Sequence, residues 1–240
     1  MPASRSRSRR RRLALAIPAV ALAPVVLAAC KLDVDADTEH KASSTYDVTD
    51  KATRVSVATT AGKVTVTEKD VSSVKVTETR HWEKGKEPTT SHTVTDGTVN
   101  LAYKCDNNDA CWVSYDVEVP RGTATHVETD AGEVRLTDLS GDLDVATTAG
   151  RISGTGLASK QATARTTAGA LDLSFAKAPA NVDAKTTAGR ATVRVPGTQS
   201  YAVDIDASVG DTEVGVPNDA NAPSKIKVRT TAGQARVLTS

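Results

Sequence analysis

Val55-Ser56-Val57-Ala58-Thr59-Thr60-Ala61-Gly62-Lys63-Val64-Thr65-Val66 contains two short alternating runs that are out of step with each other. Val55 and Val57 share one face of an extended chain, and so do Val64 and Val66, because side chains alternate across a strand with period two. Counted straight through Gly62, the second pair falls on the opposite parity. A chain that buries both pairs in one core must bend or bulge between them. Glycine suits such a corner because it reaches positive φ without steric cost.

The word recurs. Thr-Thr-Ala-Gly ends at Gly62, Gly150, Gly169, Gly189 and Gly233, and variants end at Gly132 and Gly210. From Gly132 onward the spacings are 18, 19, 20, 21 and 23 residues. Seven and five positions before the glycines stand apolar pairs such as Leu143/Val145, Val182/Ala184 and Ile226/Val228, split by polar Asp144, Asp183 and Lys227. The residue just before the glycine is Ala in six copies and Val in one, which reads as a further inward position. Neither half of a repeat can bury its apolar face alone, so the repeats are expected to stack in parallel, in chain order, about 4.8 Å apart. The expected fold class is all-β: a parallel β-solenoid or β-helix of about seven glycine-cornered rungs with an antiparallel β cap near the N-terminal end. The six rungs from Gly132 to Gly233 would stand about 24 Å tall. An antiparallel sandwich also uses short strands, but hairpins do not produce a glycine-aligned word at this spacing.

Residues 63–125 interrupt the register and are read as the cap. They carry alternating runs at Val71–Thr79, Thr93–Tyr103 and Trp112–Val119, a polar loop at His81–Ser91, and an Asp96-Gly97 pair suited to a tight hairpin. Five of the seven aromatics (Tyr46, Trp82, Tyr103, Trp112, Tyr115) precede residue 120, so the cap is expected to be thicker than the rungs.

The N-terminus is read as an address. Arg9 to Arg12 precede an apolar run, Leu13–Ala29, that contains Pro18 and Pro24. A membrane-spanning helix needs about 20 apolar residues, so a secretory signal fits better. The run ends in Leu27-Ala28-Ala29-Cys30, which resembles a bacterial lipobox: the cysteine thiol receives diacylglycerol and cleavage makes it the new N-terminus. A plain signal peptide cut at Ala-x-Ala is the competing reading, and Ser8-Arg9-Arg10 also suits twin-arginine export. Two or three acyl chains, at about 0.8 kcal/mol per buried methylene, hold a protein stably. The expected organisation is a cleaved signal at 1–29, a lipidated Cys30 with a polar tether at 30–44, and the β-solenoid domain at 45–240, with 126–240 as its regular rungs. The remaining cysteines, Cys105 and Cys111, form an even pair in an oxidising compartment and are expected to be disulfide-bonded. Calcium is the alternative there, since Asp106, Asn107, Asn108 and Asp109 are oxygen ligands, but EF-hand spacing is absent.

Charge narrows the partners. The chain has Lys+Arg 30 and Asp+Glu 29, but six arginines lie before residue 13 and no acid precedes Asp33; without residues 1–29 the balance is 24 − 29 = −5. Such a body does not present the basic face of a nucleic-acid binder. His40, His81, His92 and His126 lack metal spacing, and no cofactor motif appears. The Thr-Thr pair places one hydroxyl inward and one outward, which does not give the two-threonine rank of an ice-binding surface.

The Val-x-Val-x-Thr-Thr-Ala-Gly-x-Val-x-Val rhythm at 55–66, together with Tyr115-Asp116-Val117-Glu118-Val119-Pro120 leading into the rungs, resembles the bacterial putative-adhesin family of β-strand-repeat surface proteins. The resemblance covers about residues 45–240. It implies a β-helix-like fold outside the cytoplasm and no catalytic residues to transfer; the lipobox with the alanine- and arginine-rich composition resembles an actinobacterial envelope protein, and no cofactor is expected. The expected function is a non-enzymatic, lipid-anchored surface scaffold, held to the membrane by its N-terminal lipid and facing cell-wall glycan or a surface protein. The alternative is a polysaccharide lyase or hydrolase, with Asp183 and Asp204 as neighbours on adjacent rungs and Asp144 two rungs from Asp183. A further alternative is an envelope-stress sensing or regulatory lipoprotein.

Overall fold

The computed structural model describes residues 39–106 and 110–240, which lie in one compact unit, and among them every regular element is a β-strand. The signal segment, Cys30 and residues 107–109 lie outside the described residues. In chain order the strands are β1 (His40–Val48), β2 (Arg54–Ala61), β3 (Val64–Glu68), β4 (Val74–Trp82), β5 (Thr89–Thr95), β6 (Thr98–Lys104), β7 (Cys111–Val119) and β8 (Ala124–Thr137). They continue as β9 (Leu143–Leu157), β10 (Gln161–Ala168), β11 (Leu171–Phe175), β12 (Asn181–Val195), β13 (Ala202–Val209), β14 (Thr212–Gly215) and β15 (Lys225–Thr239).

Each repeat supplies a first half-strand to one sheet and a second half-strand to another, with the glycine between them. The first sheet runs β5-β6-β2-β8-β9-β10-β12-β15-β13, and the second runs β1-β4-β7-β3-β8-β9-β11-β12-β15-β14. β8, β9, β12 and β15 pass through the corner unbroken and belong to both. Equivalent residues pair in register: Val127 with Val145, Ala162 with Leu143, Ala184 with Val228. The core between the sheets is therefore a set of columns of like residues, filled by small and β-branched side chains such as Val57, Val127, Val145, Ala164, Ala184 and Val228.

The corner glycines form a column of their own. All seven have positive φ, from 112° at Gly62 to 153° at Gly150. A Cβ on Gly132 would overlap the carbonyl oxygen of Gly62, and the same relation runs from Gly150 to Gly132, Gly169 to Gly150, Gly189 to Gly169, Gly233 to Gly189 and Gly210 to Gly233. The backbone thus approaches the rung below at the place where a side chain would stand. Inside the corner, the first threonine of each word that has one is buried. Four of them donate to nearby carbonyls: Thr59 Oγ1 to Ala61 O (2.8 Å) and Val113 O (3.1 Å), Thr129 Oγ1 to Ala131 O (3.3 Å), Thr186 Oγ1 to Gly169 O (3.4 Å) and Thr230 Oγ1 to Gly189 O (3.3 Å), whereas the hydroxyls of Thr147 and Thr166 are buried without a partner among the described residues. The pre-glycine alanine does not point inward as its composition implied. Ala149, Ala168, Ala188 and Ala232 are exposed, because the parity slip falls at the second threonine and the alanine, which both lie outside the bend.

Two further features depart from the sequence reading. Rungs do not stack in chain order at the C-terminal end. After β12 the chain moves outward to lay down β13 and β14, then returns so that β15 pairs with β12 on one side and with β13 and β14 on the other. Stacking in chain order would put Asp183 on Asp204, whereas the observed register is Asp183–Lys227–Asp204, and like charges directly opposite are destabilising. At the other end, residues 98–119 form a parallel rung: β6 pairs with β2 and β7 with β3, and the Cys105–Cys111 disulfide lies where other rungs have their glycine corner. The antiparallel cap proper is β1 and β4 on one sheet and β5 on the other. The β5–β6 hairpin turns through Asp96 (φ 49°) and Gly97 (φ 73°), a two-residue turn with both residues left-handed. Residues 40–44, assigned above to the tether, belong to β1. Its inward positions include Ser44, whose hydroxyl binds a buried carboxylate, so the strand lacks an unbroken apolar face in its sequence.

Glu68, at the end of β3, pins two return loops. Its Oε2 accepts from Ser140 N (2.8 Å), Ser140 Oγ (2.6 Å) and Gly122 N (3.1 Å). Burial alone would raise its pKa, but these donors and the nearby Arg121 outweigh it and hold the carboxyl below the ordinary value of 4.5.

Two outcomes follow. Gly189→Ala should lose on the order of 3 kcal/mol or more, or fail to fold, since backbone would have to move. Gly122→Ala, with positive φ but open space around it, should lose only about 1 kcal/mol; chemical denaturation of both variants reads the difference. Because the folded pKa of Glu68 is depressed, its stabilisation is complete above 4.5 and is lost as pH falls through the lower folded value. Melting curves across that acid range should show a shallower loss of stability in Glu68→Gln than in the native protein.

Candidate functional site

The outer face of the first sheet carries ordered columns of polar groups, set by the same register that stacks the core. One column runs Ser56, His126, Asp144, Thr163, Asp183, Lys227, Asp204; its neighbour along the strands runs Ala58, Glu128, Ala146, Arg165, Lys185, Arg229, Asp206. Beyond these lie the exposed second threonines, Thr148, Thr167, Thr187 and Thr231. The columns cross-link. Arg165 reaches Asp183 at 3.2 Å and Asp144 at 3.8 Å, and Arg229 reaches Asp204 at 2.6 Å and Asp206 at 3.9 Å. These pairs are half-exposed and contribute little to stability, but they set which charges stay unpaired.

On this face, toward the starts of β10, β12, β15 and β13, lies a groove of about 590 Å³. Its floor is formed by Thr163, Asp183, Lys227 and Asp204, with Gln161, Asn181 and Lys225 one step back along the strands. The wall comes from Asn218 and Ala220, in the segment joining β14 to β15. That segment is fixed against the outermost strand, where Val203 N donates to Asn218 Oδ1 at 3.1 Å and Asp219 N donates to Tyr201 O at 3.0 Å. A smaller depression of about 350 Å³ continues on the same face, lined by Arg165, Lys185, Thr148, Thr167 and Thr187 among others.

The structure separates residues that the sequence reading put together. Asp183 and Asp204 are not neighbours: Lys227 stands between them, and each is held by a different arginine. The adjacent-rung pair that the lyase or hydrolase reading assumed is therefore not formed, and the two carboxylates stand two rungs apart. The histidines meet different partners. His126 lies 3.4 Å from Asp144, His81 lies 2.6 Å from Glu39 and stacks on Trp112, His40 stacks on Trp82, and His92 stacks on Tyr46. Among the described residues no cluster of His, Cys, Asp and Glu is placed to hold a metal ion. Cys105 and Cys111 are joined in a disulfide. Gly62, Gly132, Gly150, Gly169, Gly189, Gly210 and Gly233 line the corner and touch neither depression.

The sequence reading did not find a buried polar network in the cap. Glu78 is 4% exposed and accepts from Arg80 Nη1 (2.7 Å), Thr90 Oγ1 (2.6 Å), Ser44 Oγ (3.1 Å) and Tyr46 OH (3.4 Å). Arg80 Nε also pairs with Glu87 at 2.5 Å. Burial, followed by the Glu78 charge, pushes the phenols of Tyr46 and Tyr115 well above their ordinary value. A Glu and an Arg two apart on an alternating strand were the available signal, since both must then share the inward face.

A family model described as Toastrack DUF4097 matches residues 51–238. No curated protein matches the chain. Among solved structures, a putative cell adhesion protein from Clostridium sporogenes is similar over 84% of this chain and 100% of its own, at 12% identity and a TM-score of 0.49. A putative adhesin from Bacteroides fragilis is similar over 83% of this chain and 97% of its own, at 13% identity and a TM-score of 0.47.

Glu78→Ala takes one of the three acceptors from the largely buried Arg80 guanidinium and leaves Thr90, Ser44 and Tyr46 without their common acceptor, and should cost about 3 kcal/mol in denaturant unfolding. The Arg80 and Glu78 double replacement by apolar residues should recover part of that loss.

Proposed function

Because the chain belongs to the Toastrack DUF4097 family, we propose that it is a non-enzymatic surface protein, held to the membrane by lipid on Cys30, whose solenoid is an interaction scaffold for envelope polymers or proteins. One observation carries this reading: the outer face of the first sheet is an in-register array of threonines and of charges of both signs, set at the rung spacing of about 4.8 Å. Such an array matches a ligand that itself repeats, as a wall polymer does, and its rigidity lowers the ordering cost of binding. Arg165 and Arg229 hold four aspartates of that face across rungs, so the positions of these groups are set before any ligand arrives.

The anchor is supported by Leu27-Ala28-Ala29-Cys30 at the end of a basic and then apolar leader. Among the described residues no helix is long and apolar enough to cross a membrane.

Cys30→Ser should abolish incorporation of labelled fatty acid and move the protein from the membrane fraction to the supernatant. Retention in the membrane fraction without label would sink the anchor. The purified full chain in detergent should co-sediment with isolated cell envelopes in a saturable manner, and absence of saturable binding would sink the scaffold.

A further inference from the structure

The unpaired charge in the groove names a ligand class for the face just described, and so rests on that reading. The two carboxylates in its floor are already engaged, Asp183 by Arg165 and Asp204 by Arg229. Lys225 and Lys227 are exposed, two residues apart on β15, and make no ion pair among the described residues. Their side chains therefore leave the same face of one strand about 7 Å apart at the Cβ atoms, and are the charges of the floor that no ion pair among the described residues holds. Lys185, in the adjoining depression, is likewise exposed and without an ion pair among the described residues. Around these cations stand neutral groups that both donate and accept: Gln161, Thr163, Asn181 and Asn218. Asn218 spends its Oδ1 on Val203 N, which leaves its amide N–H groups free for a ligand.

The lining is charge-balanced, Lys225 and Lys227 against the two engaged aspartates, and the body without its leader carries a net −5. Diffuse repulsion keeps anions at a distance, so the cations act only at close range. Their surroundings suit a ligand that offers hydroxyls as well as anionic groups, and the groove volume is of the order that takes a few sugar or polyol units.

We propose that this groove binds an anionic, hydroxyl-rich polymer, a chain of sugar or polyol units bearing carboxylate or phosphate, with Lys225 and Lys227 pairing its charges and the amides of Gln161, Asn181 and Asn218 meeting its hydroxyls. The polymer continues past Lys185 onto the threonine columns, which accounts for two depressions on one face.

The test titrates the full chain in detergent with polygalacturonate, with poly(glycerol phosphate) and with neutral dextran of similar length, at low and high salt. At least one anionic polymer should bind, about tenfold or more tightly than dextran, and weaken with salt. Binding of polygalacturonate alone identifies the carboxylate source and binding of poly(glycerol phosphate) alone the phosphate source; either supports the site. Lys225→Gln with Lys227→Gln should weaken binding about tenfold with an unchanged circular dichroism spectrum, while Lys63→Gln with Lys69→Gln, at the far end, should leave it within about twofold. Equal affinity for dextran, no binding of either anionic polymer, or a groove variant that binds like the native chain would overturn the assignment. Failure here with retained envelope binding removes the groove and leaves the scaffold; loss of envelope binding by the native chain removes the scaffold itself.

Discussion

The approach of each corner glycine to the carbonyl of the rung beneath it constrains every other part of this molecule. A strand can bend through the corner and still hold the register of its neighbours only if nothing projects along the stack at that point. The column from Gly62 to Gly210 is seven residues without a Cβ, each seated over backbone. Because the corner is fixed, the residues five before and two after it are fixed too, and like must stack on like. The core is then dominated by valine, alanine, leucine and isoleucine, with few rings. A large ring would have to be matched by a gap in the rungs on both sides, and the fully buried Phe175 sits beside a register irregularity between β11 and β9.

Stacking also turns charge order into an architectural variable. A side chain outside the sheet faces its equivalents on the two neighbouring rungs, so each rung must suit both. β15, with Lys227, Arg229 and Arg236, lies between β12 and the acidic pair β13 and β14, with Asp204, Asp206 and Glu213. That placement leaves the acidic rung outermost, where its carboxylates discourage pairing of the free edge with a second copy. It also creates the groove, because the return from β14 to β15 must cross the end of the stack, and Asn218 is fixed there as the wall. The opposite end is closed differently. Aromatic and charged residues are concentrated between β1, β4 and β5, where Tyr46 stacks on His92 across the two sheets at 4.6 Å and Glu78 gathers four donors.

Much of this was legible beforehand and some was not, for identifiable reasons. Val55/Val57 against Val64/Val66 required a bend, and the recurring glycines required the bends to coincide; both are local constraints written in the chain. The inward reading of the pre-glycine alanines failed because alanine is compatible with either face and the slip could lie on either side of it. The tether reading of residues 40–44 failed because Ser44 points inward toward a carboxylate 34 residues away, and period-two hydrophobicity cannot register a polar contact of that kind. The parallel rung at 98–119 was hidden because its corner is a disulfide-closed loop in place of the glycine.

The sequence by itself determined the repeating unit, the all-β class, the narrow core palette and the charge carried by each rung, since these depend on residues close together in the chain and on a period that any copy reveals. Only the tertiary structure decided the order in which rungs lie, and with it the separation of Asp183 from Asp204 and the meeting of Lys225 and Lys227 with Asn218. Equivalent rungs offer nearly identical backbone partners, so pairing alone does not choose among them. The choice rests on which side chains face one another across about 4.8 Å, and that is settled only when the whole stack is assembled.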